Sequence, residues 1–206
     1  MKLFPFLLLL FAAVPIHAQD SIRYTADFQF TPGVYVRFQN WKYNDPLLPK
    51  DIITDLDKSS SKFFQYLLRE EQFRYPENNK IVYQKTGEIF GYSTGREVYY
   101  KKQYLFEVIG AICLLKEVDV VDKYSSFINP GEQYEAARKK GSGKLYILDF
   151  KTGRFFKSKK SEVEAIFKRD PALYAQYKAA KGKSKTKIQN YIKEYNFKHP
   201  IYFAKQ

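Results

Sequence analysis

Between Lys80 and Val121 the chain repeats one short pattern. Ile81-Val82-Tyr83, Ile89-Phe90-Gly91-Tyr92, Val98-Tyr99-Tyr100 and Tyr104-Leu105-Phe106 are aromatic and β-branched, and Lys85-Thr86-Gly87 and Thr94-Gly95 separate them. Such residues suit a pleated, half-buried surface, and the intervening doublets suit tight turns. A parallel crossover takes a dozen residues or more, so strands this closely spaced run antiparallel. Val108 to Leu115 is apolar nearly throughout and is predicted as one central strand covered on both faces. Leu145–Phe150 and Arg154–Lys157 are predicted as a hairpin around Lys151-Thr152-Gly153.

The flanking segments read differently. Tyr24, Phe28 and Phe30 mark an extended piece that ends at Thr31-Pro32-Gly33. Phe38 and Trp41 follow at helical spacing, and Asn44-Asp45-Pro46 stops that helix. Phe63, Phe64, Leu67 and Leu68 predict a second short helix behind three serines. Asp122 to Gly143 reads as a surface loop with a helical turn at Glu132 to Arg138. The C-terminal part is helical. Ser161 and Glu164 have the spacing of a capping box. Asp170-Pro171 is a second helix start, with an acidic cap before a proline. Leu173, Tyr174 and Tyr177 stripe that helix, Gly182 ends it, and Ser184 can cap a third. Ile188, Tyr191, Ile192 and Tyr195 recur at helical spacing before His199-Pro200, and Ile201-Tyr202-Phe203 is an apolar end expected to dock. The expected fold is α+β: a small antiparallel β-sheet followed by a basic C-terminal helical subdomain. Residues 19–206 form a single domain, mostly β over 19–160 and helical over 161–206.

The N-terminus predicts an address. Met1-Lys2 supplies a positive charge, Leu3 to Ile16 is apolar, and Ala18 is a small residue at the expected cut. That is the pattern of a signal peptide over residues 1–18. The run is too short to span a bilayer, which takes about 20 apolar residues. Export follows, to the periplasm or beyond the cell, with no transmembrane segment. No cysteine follows the cut, so lipoprotein attachment is not expected. The only cysteine, Cys113, sits among Ala111, Ile112, Leu114 and Leu115 and reads as a small buried apolar residue.

An ordered series of motifs extends the reading. Gly33-Val34-Tyr35, Asp51 to Lys58, Ile89-Phe90-Gly91-Tyr92 with Val98-Tyr99, and Val108 to Cys113 come first. Tyr146-Ile147-Leu148-Asp149-Phe150, Arg169 to Tyr174, and Tyr195-Asn196-Phe197-Lys198-His199-Pro200 follow. In this order they resemble a family of secreted proteins from Bacteroidetes-type bacteria that has no assigned activity. The resemblance implies an exported envelope protein and assigns no catalytic or binding residue.

Catalytic motifs are thin. Ser59-Ser60-Ser61-Lys62 fits a Ser-x-x-Lys pattern, and Lys85-Thr86-Gly87 and Lys151-Thr152-Gly153 fit Lys-Thr-Gly, as in penicillin-recognising enzymes. The match is loose: Ser-Asp-Asn is absent, Ser184 to Lys187 fits equally well, and both Lys-Thr-Gly sites read better as turns. Asp55, Asp57 and Ser59 open like a calcium loop, but Ser60 and Tyr66 stand where Gly and Glu belong. Past the leader there is one histidine, His199, and no phosphate-binding glycine loop. No cofactor or metal site is predicted. A carboxylate pair acting on glycosides stays open, because many Asp and Glu are present. Flat aromatic rings can stack on sugars, although cross-strand pairing uses them equally well.

Charge gives the firmest lead. From Asp20 to Phe150 there are 19 basic and 18 acidic residues; from Lys151 to Gln206 there are 15 and 4, a net of +11. Lys178, Lys181, Lys183, Lys185 and Lys187 cluster around Gly182, with Lys168 and Arg169 nearby. Such a surface attracts polyanions. The partners expected in the envelope are acidic polymers or lipid phosphates. Lysines outnumber the arginines that read bases, so specific nucleic-acid recognition is not expected. The sequence therefore points to a non-catalytic binding protein of the cell envelope. The alternative is a small hydrolase of envelope polymers using a carboxylate pair.

Overall fold

The computed structural model describes residues 21–118, 144–180 and 185–204. The leader, the loop expected over Asp122 to Gly143, Gly182 and Ser184 lie outside them. Among the described residues the architecture is α+β, built on a curled antiparallel sheet.

Seven strands form that sheet: β2 (Gly33–Tyr35), β5 (Gly91–Ser93), β6 (Val98–Tyr100), β7 (Tyr104–Val108), β8 (Ile112–Glu117), β9 (Leu145–Asp149) and β10 (Phe155–Lys157). Their spatial order is β10-β9-β8-β7-β6-β5-β2. From β5 to β10 each strand pairs with the next; short turns join all of them except β8 and β9, which residues 118–144 separate. Between β2 and β5 the chain leaves the sheet. It makes helix α1 (Phe38–Lys42), helix α2 (Phe63–Leu67) and a separate ribbon of β3 (Gln72–Glu77) with β4 (Lys80–Lys85). Helices α3 (Lys160–Phe167), α4 (Pro171–Ala179) and α5 (Lys185–Lys198) follow β10. The last strand, β11 (Tyr202–Ala204), pairs with the first, β1 (Ser21–Arg23).

Side chains alternate across a strand, so the sheet has two faces to bury. On one, Val98, Phe106, Cys113, Leu115 and Leu148 pack against Trp41, Phe30, Ile201 and Phe203. Trp41 is fully buried, stacked at 5.1 Å on Phe106 and 5.4 Å on Phe90. The other face is shared. Val34, Tyr92, Tyr99 and Leu105 lie under α2 and the β3–β4 ribbon. Ile112, Leu114 and Ile147 lie under α3, α4 and α5. Most of the aromatic excess is therefore core, including the cross-strand stack of Tyr92 on Tyr99 at 4.7 Å.

Four local expectations need correction. The runs at Ile81–Tyr83 and Ile89–Tyr92 are not antiparallel neighbours: β4 pairs with β3 in the separate ribbon, and β5 lies between β6 and β2. Val108 to Leu115 is not one strand: β7 ends at Val108, and Ile109 to Ala111 turn the chain into β8. Within this stretch it is β8 that is covered on both faces, with Ile112, Cys113, Leu114 and Leu115 all buried. Gly110 sits at that turn because a Cβ there would run into the Asn196 side chain. The capping box at Ser161 does not form. Helix α3 starts two residues earlier, with Lys159 at the cap, and Glu164 faces Lys160 and Lys178, each at 4.0 Å. The segment Tyr24 to Phe30 adds no strand beyond Arg23; its rings pack in the core while its backbone turns. The Asp170 cap does form, its carboxylate accepting from Leu173 N at 3.0 Å.

Candidate functional site

The three C-terminal helices spend their apolar stripes on the sheet. Val163, Ile166 and Phe167 of α3, Leu173 and Tyr177 of α4, and Ile192 and Tyr195 of α5 are all buried there. The faces left outward carry the cations. Lys168 and Lys178 are exposed, with their ammonium groups 5.9 Å and 5.8 Å from the Tyr174 ring. Cations gather over such a ring because its face is electron-rich. Lys185 opens α5, and Lys187 is half-buried one residue beyond Thr186. Lys181 and Lys183 lie outside the described residues.

Arg169 departs from this set. Its guanidinium forks onto Asp149, with Nη1 to Oδ1 at 2.9 Å and Nη2 to Oδ2 at 2.7 Å. Asp149 is 2% exposed and also accepts from the Thr152 hydroxyl at 2.6 Å and Lys151 N at 3.1 Å. Burial alone would raise the Asp149 pKa, but the bonds from Arg169 and Thr152 outweigh it and hold the carboxyl below its usual value. The arginine thus compensates a buried charge at the end of β9.

The motifs that hinted at catalysis resolve into local structure. The Ser59 hydroxyl donates to Asp57 at 2.7 Å, and Ser60 Oγ accepts from Lys62 N, so this serine cluster forms a turn. Thr86 is buried; its hydroxyl donates to the Glu70 carbonyl at 2.6 Å and accepts from Lys102 Nζ at 2.7 Å. Lys151-Thr152-Gly153 turns β9 into β10, with Gly153 at φ +71°, where an added Cβ would press on the Phe38 ring. His199 bonds Asp170 at 3.2 Å and stacks on Tyr195 at 4.3 Å. Cys113 is fully buried, and burial pushes its thiol up to about 12. Among the described residues no group of three or more His, Cys, Asp or Glu is placed to hold a metal ion. None of the described helices is long and apolar enough to cross a membrane.

Two of the concavities among the described residues bear on function. A cleft of about 610 Å³ lies beside the start of β6 and the end of β7. Phe30, Val98 and Phe106 line it together with Arg96, Glu97 and Glu107. Glu97 accepts from the Tyr99 hydroxyl at 2.8 Å. A smaller slot of about 330 Å³ opens between α5 and strands β8 to β10. Leu114, Leu145, Ile188 and Ile192 wall it, and Lys144 and Lys157 line it too. Sequence reading placed Lys157 at the end of the predicted hairpin but missed its place here. The available signal was Ile188 and Ile192 at i and i+4, a stripe broad enough to leave one edge beside the sheet uncovered.

No protein-family model, curated protein or solved structure matches the chain.

Proposed function

We propose that the protein is an exported, non-catalytic binding protein of the cell envelope whose C-terminal helices hold an acidic polymer or a lipid phosphate. One observation carries the reading. The segment that carries a net of +11 includes three helices that turn their apolar stripes to the sheet, with Lys168 and Lys178 exposed. The signal-peptide pattern and the resemblance to secreted proteins support export. Clustered lysines attract polyanions through a field that salt screens over about 8–10 Å. Retention on immobilised heparin should therefore fall steeply between low and moderate salt. Replacing Lys168, Lys181, Lys183, Lys185 and Lys187 together by Gln should remove most of it. Unchanged retention in that variant would refute the reading.

The large cleft favours a second reading, a small hydrolase of envelope polymers. Glu97 and Glu107 line the same concavity beside an aromatic wall, and paired carboxylates are the chemistry of glycoside hydrolysis. Release of reducing ends from purified cell-wall polymer, lost in both Glu97→Gln and Glu107→Gln, would establish it.

A further inference from the structure

We infer that the slot between α5 and the sheet binds the alkyl chain of a single-chain anionic amphiphile, with Lys157 and Lys144 at its phosphate or carboxylate head. The inference rests on the polyanion reading and names the ligand. Its basis is the lining. Four aliphatic side chains form the walls, two from the sheet and two from α5, and no aromatic ring is among them. A sugar gains little from such walls, because it stacks on flat rings. Every charged group in the lining is a lysine; the other polar residues, Ser158 and Gln189, can each donate to an oxyanion. A cationic ligand meets no carboxylate among the described residues that line it. Apolar walls with cations and neutral donors complement one ligand class, an anionic head on an alkyl tail.

Size agrees. At the roughly 30 Å³ that a water-sized group takes in a liquid, the slot of about 330 Å³ holds about ten methylenes. Ile188 and Leu145 are only half-buried, so part of the aliphatic wall is open to solvent.

The test is a chain-length series. Alkyl phosphates from four to fourteen carbons are titrated calorimetrically into the full mature chain, each below its micelle concentration. Burying a methylene tightens binding about four-fold. Affinity should rise by about that factor per carbon and level off near ten carbons. The alcohol of equal length should bind at least ten-fold more weakly. Lys157→Gln should narrow the gap between phosphate and alcohol while leaving heparin retention nearly intact. Ile188→Asp should abolish the chain-length dependence, with an unchanged circular dichroism spectrum and melting transition showing that it still folds. If Ile188→Asp melts early, Ile188→Ser serves in its place.

Affinity that ignores chain length overturns the inference. So does binding to anionic vesicles with none to the monomeric amphiphiles, which would mean attachment to a membrane surface. If heparin retention is salt-sensitive while chain length has no effect, the slot fails and the polyanion reading stands. If both are absent, both fall.

Discussion

Asp149 is the residue on which acid stability turns. Its carboxylate is buried and held ionised by Arg169, Thr152 and a backbone N–H. Its folded pKa therefore lies below the unfolded value of about 3.9. Between those two values the unfolded chain binds more protons than the folded one, so stability rises with pH there. The stabilisation is complete above the unfolded pKa and is lost as pH falls through the folded one. Asp149→Asn should flatten the stability curve below about pH 4, measured by urea unfolding at stepped pH. Arg169→Ala should cost about 3 kcal/mol at neutral pH, the low end for breaking a buried pair because the guanidinium is partly exposed. Sequence alone showed both residues and not their pairing, since 20 positions separate them. The Asp170 cap was legible because its partner is three residues away.

At the scale of elements, α5 is tied to the sheet by one side chain. Asn196 accepts from Ile112 N at 2.8 Å and donates to the Ile112 carbonyl at 2.9 Å, reading the start of β8 as a neighbouring strand would. Asn196→Ala should cost about 1–3 kcal/mol, because two buried backbone groups lose a partner together. Amide exchange at Ile112 should quicken more than at Leu115, deeper in the same strand. The strands with tight turns between them were legible, since turn residues and alternating apolar positions are local signals. The break inside Val108 to Leu115 was not, because its cause is a helix more than 80 residues downstream. Strand β3 was missed for a different reason. Only Phe73 and Tyr75 face inward, and Arg74, Pro76 and Glu77 read as loop until the pairing with β4 is known.

Over the whole molecule, one face of the sheet is closed by the two ends of the described chain. Strands β1 and β11 pair with each other, and Ile201 and Phe203 reach the core around Trp41. Removing residues 201–206 would uncover Trp41 and Phe30. The truncated chain should lose its cooperative melting transition and bind a hydrophobic dye, whereas removing only Lys205 and Gln206 should leave melting unchanged. The α+β class was legible from the change in periodicity between the middle and the C-terminal third. The candidate slot was not, because it depends on where α5 meets β8 to β10, a relation no local pattern encodes.

The β1–β11 pairing also sets an order of events. A ribosome makes β11 after every other described element, so the aromatic centre stays open until β11 has been made. A chain proposed to thread through a translocation pore gains from that delay. Its aromatic core can seal only once β11 is in place against β1.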